Sequence, residues 1–248
     1  MISWPDLGTR VTVRYRRPAG SVPPLTDAVG HLLAIEPMVR VATKRGTVVE
    51  CASADVVALR VLTDAPVRTA QIRALEHAAA AAWPGAEQSW LHGWLLRAGN
   101  GVDYAVPLDI SADASAIPAI VDWYTRRGLT PRLAIPDRLL TPPPGWQTEH
   151  TEQVLVRAVS SVTPASAPEP GLRAAISDAP DGTTWVGLWP TREADDPQRW
   201  EAALAWGAGR GATRGYVRVP DTETDMIALA ESLGFRLHHR SRYVIPNR

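Results

Sequence analysis

The sequence predicts an α/β (α+β) protein in which a small β-barrel precedes a larger domain with a mixed sheet. Residues 8–62 hold only short runs of alternating apolar and polar side chains, which is the pattern of β-strands. From residue 63 onward, strand-type and helix-type runs alternate, and this order favours a partly parallel sheet. The chain has 248 residues, 45% of them apolar, and can therefore bury a substantial core.

The first region, residues 1–62, contains five β-type runs. Val11, Val13 and Tyr15 alternate with polar residues, as the side chains of a half-buried strand do. Lys44-Arg45-Gly46 predicts a hairpin turn between the third and fourth runs. Five short strands, a long first loop and a tight turn before the last strand resemble an SH3-like barrel, although many small barrels share this pattern. The runs after the first are Ala28 to Ile35, Met38 to Ala42, Thr47 to Cys51 and Val56 to Leu62.

The second region, residues 63–159, begins with a predicted helix. Thr63 or Asp64 is its candidate cap, and Pro66 falls in the first turn, where a missing N–H costs nothing. Trp83-Pro84-Gly85 ends the helix. The apolar residues that keep helical spacing are Ile72, Leu75, Ala79 and Ala82.

Strands and a second helix follow in the same region. Gly99-Asn100-Gly101 is a strong hairpin signal between strands predicted at Trp90 to Arg97 and at Val102 to Leu108. A helix is predicted from Ala112 to Arg127, with Gly128 as its C-terminal stop. Further strands are predicted at Leu133 to Pro136 and Gln153 to Val159.

Residues 160–171 are rich in Ser, Pro and Ala and predict a linker ahead of a last region, residues 172–248. In this last region strands and helices alternate, which predicts a partly parallel sheet. The predicted strands are Leu172 to Ser177, Thr184 to Trp189, Thr213 to Val219 and Phe235 to Ile245. The predicted helices are Pro197 to Ala208, capped by Asp195 or Asp196, and Asp221 to Ser232, ended by Gly234.

Composition excludes several functional classes. The formal net charge is zero, so the chain has no general electrostatic attraction to nucleic acid or to an anionic membrane. No run approaches eighteen apolar residues, and Met1 to Gly8 has no apolar segment of the kind a secretory signal needs. Cys51 is the single cysteine, so neither an intrachain disulfide nor a cysteine-based metal cage is possible. We therefore expect a cytoplasmic protein without a metal site.

Several stretches carry a resemblance to a known family. Trp206 to Ala212, with the sequence WGAGRGA, precedes a predicted strand, and Ile227 to Phe235, with the sequence IALAESLGF, follows it. Upstream, Leu91 to Gly99, Trp123-Tyr124 and Gly128 to Arg132 are similar as well. Together these pieces resemble the GNAT superfamily of N-acetyltransferases, in particular an actinobacterial group with an N-terminal SH3-like domain. In pieces, the resemblance covers most of the chain.

The resemblance implies transfer of an acetyl group from acetyl-CoA, as co-substrate, to an amine. In this superfamily the cofactor enters a gap between two parallel strands, and amide groups at the start of the following helix bind its pyrophosphate. On this basis, Leu188 and Trp189 would present the strand backbone to the cofactor. Gln198, Arg199 and Trp200 would meet the cofactor phosphates at the start of the helix. The resemblance assigns no catalytic residue in this chain, and the acceptor amine is not predicted.

The sequence departs from the family pattern in a shortened and degenerate C-terminal half. The usual pyrophosphate loop is Q/R-x-x-G-x-G/A, whereas the nearest match is Gln198 to Ala203, with Glu201 at the first glycine position. Carboxylates in Thr191 to Asp196 would repel a pyrophosphate. Ala230 stands where the family has a tyrosine acid, and Glu223 where many members have asparagine. The elements that open this half before Leu172 are missing.

Other residues with possible chemistry have structural interpretations. His238 and His239 are neighbours on a predicted strand, so their side chains should face opposite sides and share no metal. Tyr216 is a possible substitute for the missing tyrosine acid, although it lies on a strand. Trp185, Trp189 and Trp200 flank the cofactor gap and are expected mainly to fill it.

Two alternatives to an acetyltransferase stay open. The departures favour a catalytically inactive GNAT-scaffold protein that binds or regulates. The basic residues of the first region favour a second alternative, an SH3-like module that binds a peptide or nucleic acid. A solvated outer face is the structural interpretation of the same residues, which are Arg14, Arg16, Arg17, Arg40, Lys44 and Arg45.

Overall fold

A computed structural model describes residues 4–5, 7–43, 47–62, 67–159, 172–190 and 196–247. The chain forms two compact units, residues 1–66 and residues 67–248. The predicted linker, residues 160–171, and the predicted hairpin turn Lys44-Arg45-Gly46 lie outside the described residues. Among the described residues, no helix is both long enough and apolar enough to cross a membrane.

The first unit is a five-stranded antiparallel sheet in the strand order β4-β3-β2-β1-β5. All five predicted strands are confirmed, and a 3-10 turn at Ser53–Asp55 leads into the last of them. Alternation along the strands buries one face, where Val11, Val13, Leu32 and Val41 pack together. The strands are β1 Arg10–Arg16, β2 Leu25–Ala34, β3 Val39–Thr43, β4 Val48–Cys51 and β5 Val56–Val61.

Within its described residues, the second unit is built on a nine-stranded mixed sheet with four helices, as the alternating pattern predicted. Its order is β11-β12-β13-β10-β14-β9-β8-β7-β6. The strands are β6 Glu87–Leu91, β7 Trp94–Ala98, β8 Tyr104–Pro107, β9 Leu133–Pro136, β10 Trp146–Ala158, β11 Leu172–Asp178, β12 Thr184–Pro190, β13 Arg214–Pro220 and β14 Arg236–Pro246. The helices are α1 Thr69–Ala82, α2 Ile117–Thr125, α3 Pro197–Ala208 and α4 Thr224–Ser232.

This sheet contains the same arrangement twice, with the final strands exchanged. In residues 67–159, the hairpin β7–β8 is followed by α2 and by β9, which is parallel to β8. In residues 172–247, the hairpin β11–β12 is followed by α3 and by β13, which is parallel to β12. The last strand of each half pairs with the parallel strand that follows the helix in the other half. Thus β10 pairs with β13, and β14 pairs with β9. The long pair β10–β14 therefore joins the halves at the centre of the sheet.

Two predictions about helix and strand ends are wrong. Helix α1 begins at Thr69, where the side chain of Gln71 accepts a hydrogen bond from the Arg68 N–H at 2.9 Å. The caps predicted at Thr63 and Asp64 lie outside the described residues. The single strand predicted at Trp90 to Arg97 is a hairpin, because His92 and Gly93 both adopt positive φ, 44° and 81°, and turn the chain between β6 and β7.

The helix predicted from Ala112 to Arg127 is shorter than expected. A 3-10 turn at Ala114–Ala116 precedes α2, and Gly128 has a positive φ of 66°, as a C-terminal stop requires. Helix α3 has the predicted bounds, and its predicted cap Asp196 accepts a hydrogen bond from the Gln198 N–H at 2.9 Å. Asp195 lies outside the described residues.

Strand β10 is almost twice as long as predicted. The apolar half, from residue 153, was expected, but the strand starts at Trp146. Its first seven residues, WQTEHTE, are mostly polar and partly exposed, so they carry no hydrophobic alternation. This polar half of β10 contributes one wall of the site described next.

Candidate functional site

The parallel strands β12 and β13 separate towards their ends. They pair from Trp185 opposite Arg214 to Leu188 opposite Val217, and the pairing stops there although both strands continue. Near the last paired residues, the ring of Tyr216 packs against Gly187, whose missing Cβ would lie 2.4 Å from the Tyr216 hydroxyl. A slot therefore opens beyond Leu188, where the resemblance implied a cofactor gap.

The slot leads into a cavity of about 1150 Å³. This volume slightly exceeds the range of roughly 300–1000 Å³ that is usual for small-molecule pockets. One side of the cavity is mainly apolar and includes Leu188, Pro190, Val219, Pro220, Met226 and Leu229. The other side is polar and includes Asp103, Arg132, Glu149, His150, Glu152 and Tyr243. The cavity thus joins an apolar channel to a charged wall.

The structure places the predicted cofactor residues in two groups. Leu188 and Trp189 line the cavity, at the unpaired end of β12. Gln198, Arg199 and Trp200 lie in the first turn of α3 and are not among the residues that line it. The indole of Trp200 is buried in the core and meets Phe235 edge-on, with ring centroids 6.0 Å apart. Residues 191–195, between the two groups, lie outside the described residues.

The family departures also have positions in the structure. Ala230 is buried in the same core cluster as Trp200 and Phe235, whereas Glu223 lines the cavity. Tyr216, the possible substitute for the missing tyrosine, lines the cavity too. Burial raises the pKa of Tyr216 well above its ordinary value, so its phenol stays protonated.

A β-bulge turns the polar half of β10 towards the cavity. Thr148 pairs with Val244 and His150 with Tyr243, so Glu149 is an extra residue on β10. Neighbours on a regular strand point to opposite faces, but a bulge lets both residues turn to one side. As a result Glu149 and His150 both line the cavity, together with Glu152, which shares a face with His150.

Arginine and tyrosine side chains hold the two glutamates in place. Arg132 binds both carboxylate oxygens of Glu149, at 2.5 and 2.8 Å, and this pairing lowers the pKa of Glu149. Glu152 accepts a hydrogen bond of 2.7 Å from the Tyr243 hydroxyl and lies 3.4 Å from Arg218 Nη1. Burial, reinforced by nearby Tyr104 and Glu152, raises the pKa of Tyr243, which therefore remains a hydrogen-bond donor.

A buried ion cluster lies behind this wall. Arg218 pairs with Glu76 of α1, and His239 Nε2 lies 2.7 Å from the same carboxylate oxygen. The side chain of Glu76 is 3% exposed. Burial alone would raise the pKa of Glu76, but the charge of Arg218 and the hydrogen bond from His239 outweigh it and lower that pKa to about 2. Glu76 is therefore ionised and anchors Arg218.

A second bulge overturns the prediction that His238 and His239 face opposite sides. His239 pairs with Val154 and Leu237 with Leu155, so His238 is an extra residue on β14. The two Nδ1 atoms lie 2.8 Å apart, a distance at which one donates a hydrogen bond and the other accepts it. Burial, with the charges of His239 and Arg214, lowers the pKa of His238 to about 4. The histidines extend the Glu76 cluster.

The basic residues of the first unit are partly neutralised. Arg14 forms two hydrogen bonds of 2.8 Å with Asp27, and Arg40 lies 2.8 Å from Glu50. Lys44 and Arg45 lie outside the described residues. The paired arginines agree with the interpretation of a solvated outer face.

Sequence analysis missed most polar residues of the site. One signal was present, because Glu76 lies four residues after Ile72, on the apolar face of α1. A glutamate on a buried helix face needs a partner, and its partner Arg218 lies in the run Val217 to Val219. Glu149, His150 and Glu152 carried no such signal, because they lie in a polar run that the bulge makes irregular.

Two family models match the chain. The model described as "Probable histone acetyltransferase Rv0428c C-terminal" matches residues 69–171 and 170–244, and the model described as "Rv0428c N-terminal Sm-like domain" matches residues 5–60. The predicted SH3-like type of the barrel is therefore corrected to Sm-like. Five short strands with a turn before the last did not distinguish these barrels.

A curated relative matches over nearly its whole length. The probable histone acetyltransferase Rv0428c of Mycobacterium tuberculosis (strain ATCC 25618 / H37Rv) is 57% identical, over 98% of this chain and 97% of that protein. The alignment spans 294 positions although this chain has 248 residues, so the relative has residues without counterparts here. The C-terminal model matches in two segments that meet at residues 170–171, next to the point where the sequence indicated missing elements.

Among solved structures, a GCN5-related N-acetyltransferase from Kribbella flavida is similar to this chain. The TM-score is 0.47 at 11% sequence identity, and the match covers 73% of this chain and 96% of that chain.

Proposed function

The chain belongs to the family of the probable histone acetyltransferase Rv0428c, and from this premise we propose that it transfers an acetyl group from acetyl-CoA to an amine. The observation that carries the proposal is the separation of β12 and β13 after Leu188 and Val217, which opens directly into the large cavity. A thioester arm placed in this slot would reach a charged wall suited to an amine.

The residues around the slot fit such a co-substrate. Beyond Leu188, β12 keeps its pairing with β11 but leaves its other edge unpaired, so peptide groups there are available to a ligand. Next to the cavity, the Arg173 guanidinium lies 5.0 Å from the ring of Trp83 and 5.8 Å from that of Trp189. This cation supports binding of phosphate groups, in a region where the family's glycine loop is absent.

The polar wall supports a positively charged acceptor. Among the described residues, five carboxylates and three arginines line the cavity, and Arg132 and Arg218 are already paired with glutamates. Glu223, just before α4, and Asp225, in its first turn, also line the cavity. The name of the relative makes a lysine side chain of a basic protein the first acceptor to test.

Calorimetric titration with acetyl-CoA tests the proposal. We expect a dissociation constant in the micromolar range, which corresponds to roughly −8 kcal/mol. Met226→Trp should weaken binding because Met226 lines the cavity, whereas Met38→Trp on the first unit is a matched control that should not. No heat at millimolar acetyl-CoA would overturn the proposal.

Product analysis then separates an enzyme from an inactive scaffold. The protein is incubated with acetyl-CoA and poly-L-lysine, spermidine or a lysine-containing peptide, and acetylated amine is measured by mass spectrometry. A cofactor-dependent product supports transfer. Binding of acetyl-CoA without product on any of these amines would favour the inactive alternative.

A further inference from the structure

We infer that His150 is the catalytic residue that takes the proton from the acceptor amine, with its imidazole ring stacked on Tyr243, which Glu152 holds. The inference rests on the proposed function and assigns a role that the family resemblance left open. It starts from the bulge at Glu149, which turns His150 into the same cavity as the open end of the β12–β13 slot.

The ring of His150 is fixed in position. It stacks on the ring of Tyr243, with centroids 4.2 Å apart and an interplanar angle of 12°. Tyr243 is itself held by Glu152 and Arg218 through its hydroxyl and by edge-on contact with Tyr104. A stacked ring on a hydrogen-bonded tyrosine keeps its nitrogens at constant positions, as a proton acceptor for a bound substrate requires.

Neither ring nitrogen of His150 lies within hydrogen-bond distance of a neighbouring glutamate. Nε2 lies 4.0 Å from Glu152 Oε1, and Nδ1 lies 3.6 Å from Glu149 Oε2. Both distances exceed that of a hydrogen bond, yet both carboxylates are close enough to stabilise an imidazolium. The side chain of His150 is 39% exposed, so an amine in the cavity can approach it.

Neighbouring side chains are less suited to accept the proton. Glu149 is bound through both oxygens by Arg132, and Glu152 is engaged by Tyr243 and Arg218. The pairing with Arg132 lowers the pKa of Glu149, and the contacts of both glutamates occupy lone pairs that a proton would need. Histidine is the side chain that most often serves as a general base in proteins.

The chemical step balances without another reactant. The bound ammonium first loses one proton to solvent, which frees the amine lone pair. This lone pair then forms a C–N bond with the thioester carbonyl carbon while a second N–H proton passes to a His150 ring nitrogen. The C–S bond then breaks, and the thiolate leaves and is protonated by the proton that His150 received or by solvent. The charge that His150 gains is offset by Glu149 and Glu152.

The test compares His150→Gln with His31→Gln, an exposed histidine on β2 of the first unit. With poly-L-lysine as acceptor, we expect kcat to fall about 100-fold or more in His150→Gln, the usual contribution of a general base. His31→Gln should match the unchanged protein, and acetyl-CoA affinity by calorimetry should stay within about twofold in both variants. Added imidazole should restore part of the activity of His150→Ala, which a purely structural loss would not permit.

A second measurement does not depend on turnover. In the NMR spectrum of the acetyl-CoA-bound protein, the imidazole resonance missing from His150→Gln should shift when poly-L-lysine is added. An unshifted resonance, or turnover in His150→Gln within about threefold of the unchanged protein, would overturn the role of His150 alone. Failure of the unchanged protein to bind acetyl-CoA would instead overturn the proposed function.

Discussion

Replacement of Glu76 by glutamine is the sharpest test of the buried ion cluster. The change removes one charge with little change of volume, and it leaves Arg218 and His239 facing an uncharged amide. Breaking a buried pair from one side costs about 3–5 kcal/mol, because the remaining charge stays buried without compensation. Arg218 keeps Glu152 and Tyr243 as partners, so we expect the lower end of this range, about 3 kcal/mol.

Thermal unfolding followed by tryptophan fluorescence measures this loss. Nine of the ten tryptophans lie after residue 66, so the signal reports the unit that contains Glu76. For a unit of this size, a loss of 3 kcal/mol lowers Tm by about 6–12 °C. The matched control is Glu87→Gln, which breaks an exposed pair with Arg127 and should leave Tm almost unchanged, because water screens exposed charges. An equal or smaller shift in Glu76→Gln than in Glu87→Gln would refute the account of the cluster.

The same variant has a defined acid dependence. The folded-state pKa of Glu76 is about 2, below the ordinary carboxylate value of 4.5. The stability that Glu76 contributes is therefore present above about pH 4.5 and lost as pH falls towards 2. The free energy of unfolding, measured with denaturant across this pH window, should depend less steeply on pH in Glu76→Gln than in the unchanged protein. An unchanged slope would show that Glu76 is not the titrating group.

Two further predictions concern His238 and Gly187. The folded-state pKa of His238 is about 4, so between pH 6.5 and 4 the unfolded chain binds a proton that the native state does not, and stability falls by about 3 kcal/mol as pH falls. His238→Asn should remove this part of the pH dependence of the unfolding free energy, measured by urea titration. An unaltered pH dependence would contradict the assignment to His238. Gly187→Ala should cost about 1–3 kcal/mol, because its Cβ would overlap the buried ring of Tyr216. Gly209→Ala, with its nearest neighbour at 3.5 Å, is the control, and equal denaturation midpoints would refute the predicted overlap.

The fold was largely predictable because most of its elements bury an apolar face. Helix α3 was predicted with its bounds because Asp196 and Pro197 mark its start and apolar residues recur through it. The hairpin at Gly99-Asn100-Gly101 was predictable because all three residues need positive φ. The exchange of the final strands between the halves was not predictable, because local sequence patterns do not determine which distant strands pair.

The candidate site was predictable only on its apolar side. Leu188 and Trp189 line the cavity, and they could be named in advance because they end an apolar strand at which the resemblance implies a cofactor gap. Glu149 and His150 were missed because a polar strand start looks like a loop, and because the bulge breaks the alternation that reveals a strand. Their position depends on pairing with Tyr243 and Val244, nearly a hundred residues further along the chain.

The exchange of β10 and β14 makes the site a joint product of both halves of the second unit. Glu149, His150 and Glu152 of the charged wall come from β10, which ends the first half, while the slot is formed by two strands of the second half. Neither half, expressed as a separate polypeptide, would contain all residues of the candidate site. Substitutions that weaken the pairing of β10 with β14 should therefore disturb both the candidate site and the folding of the unit. A chimera with a relative would have to take both halves from the same protein.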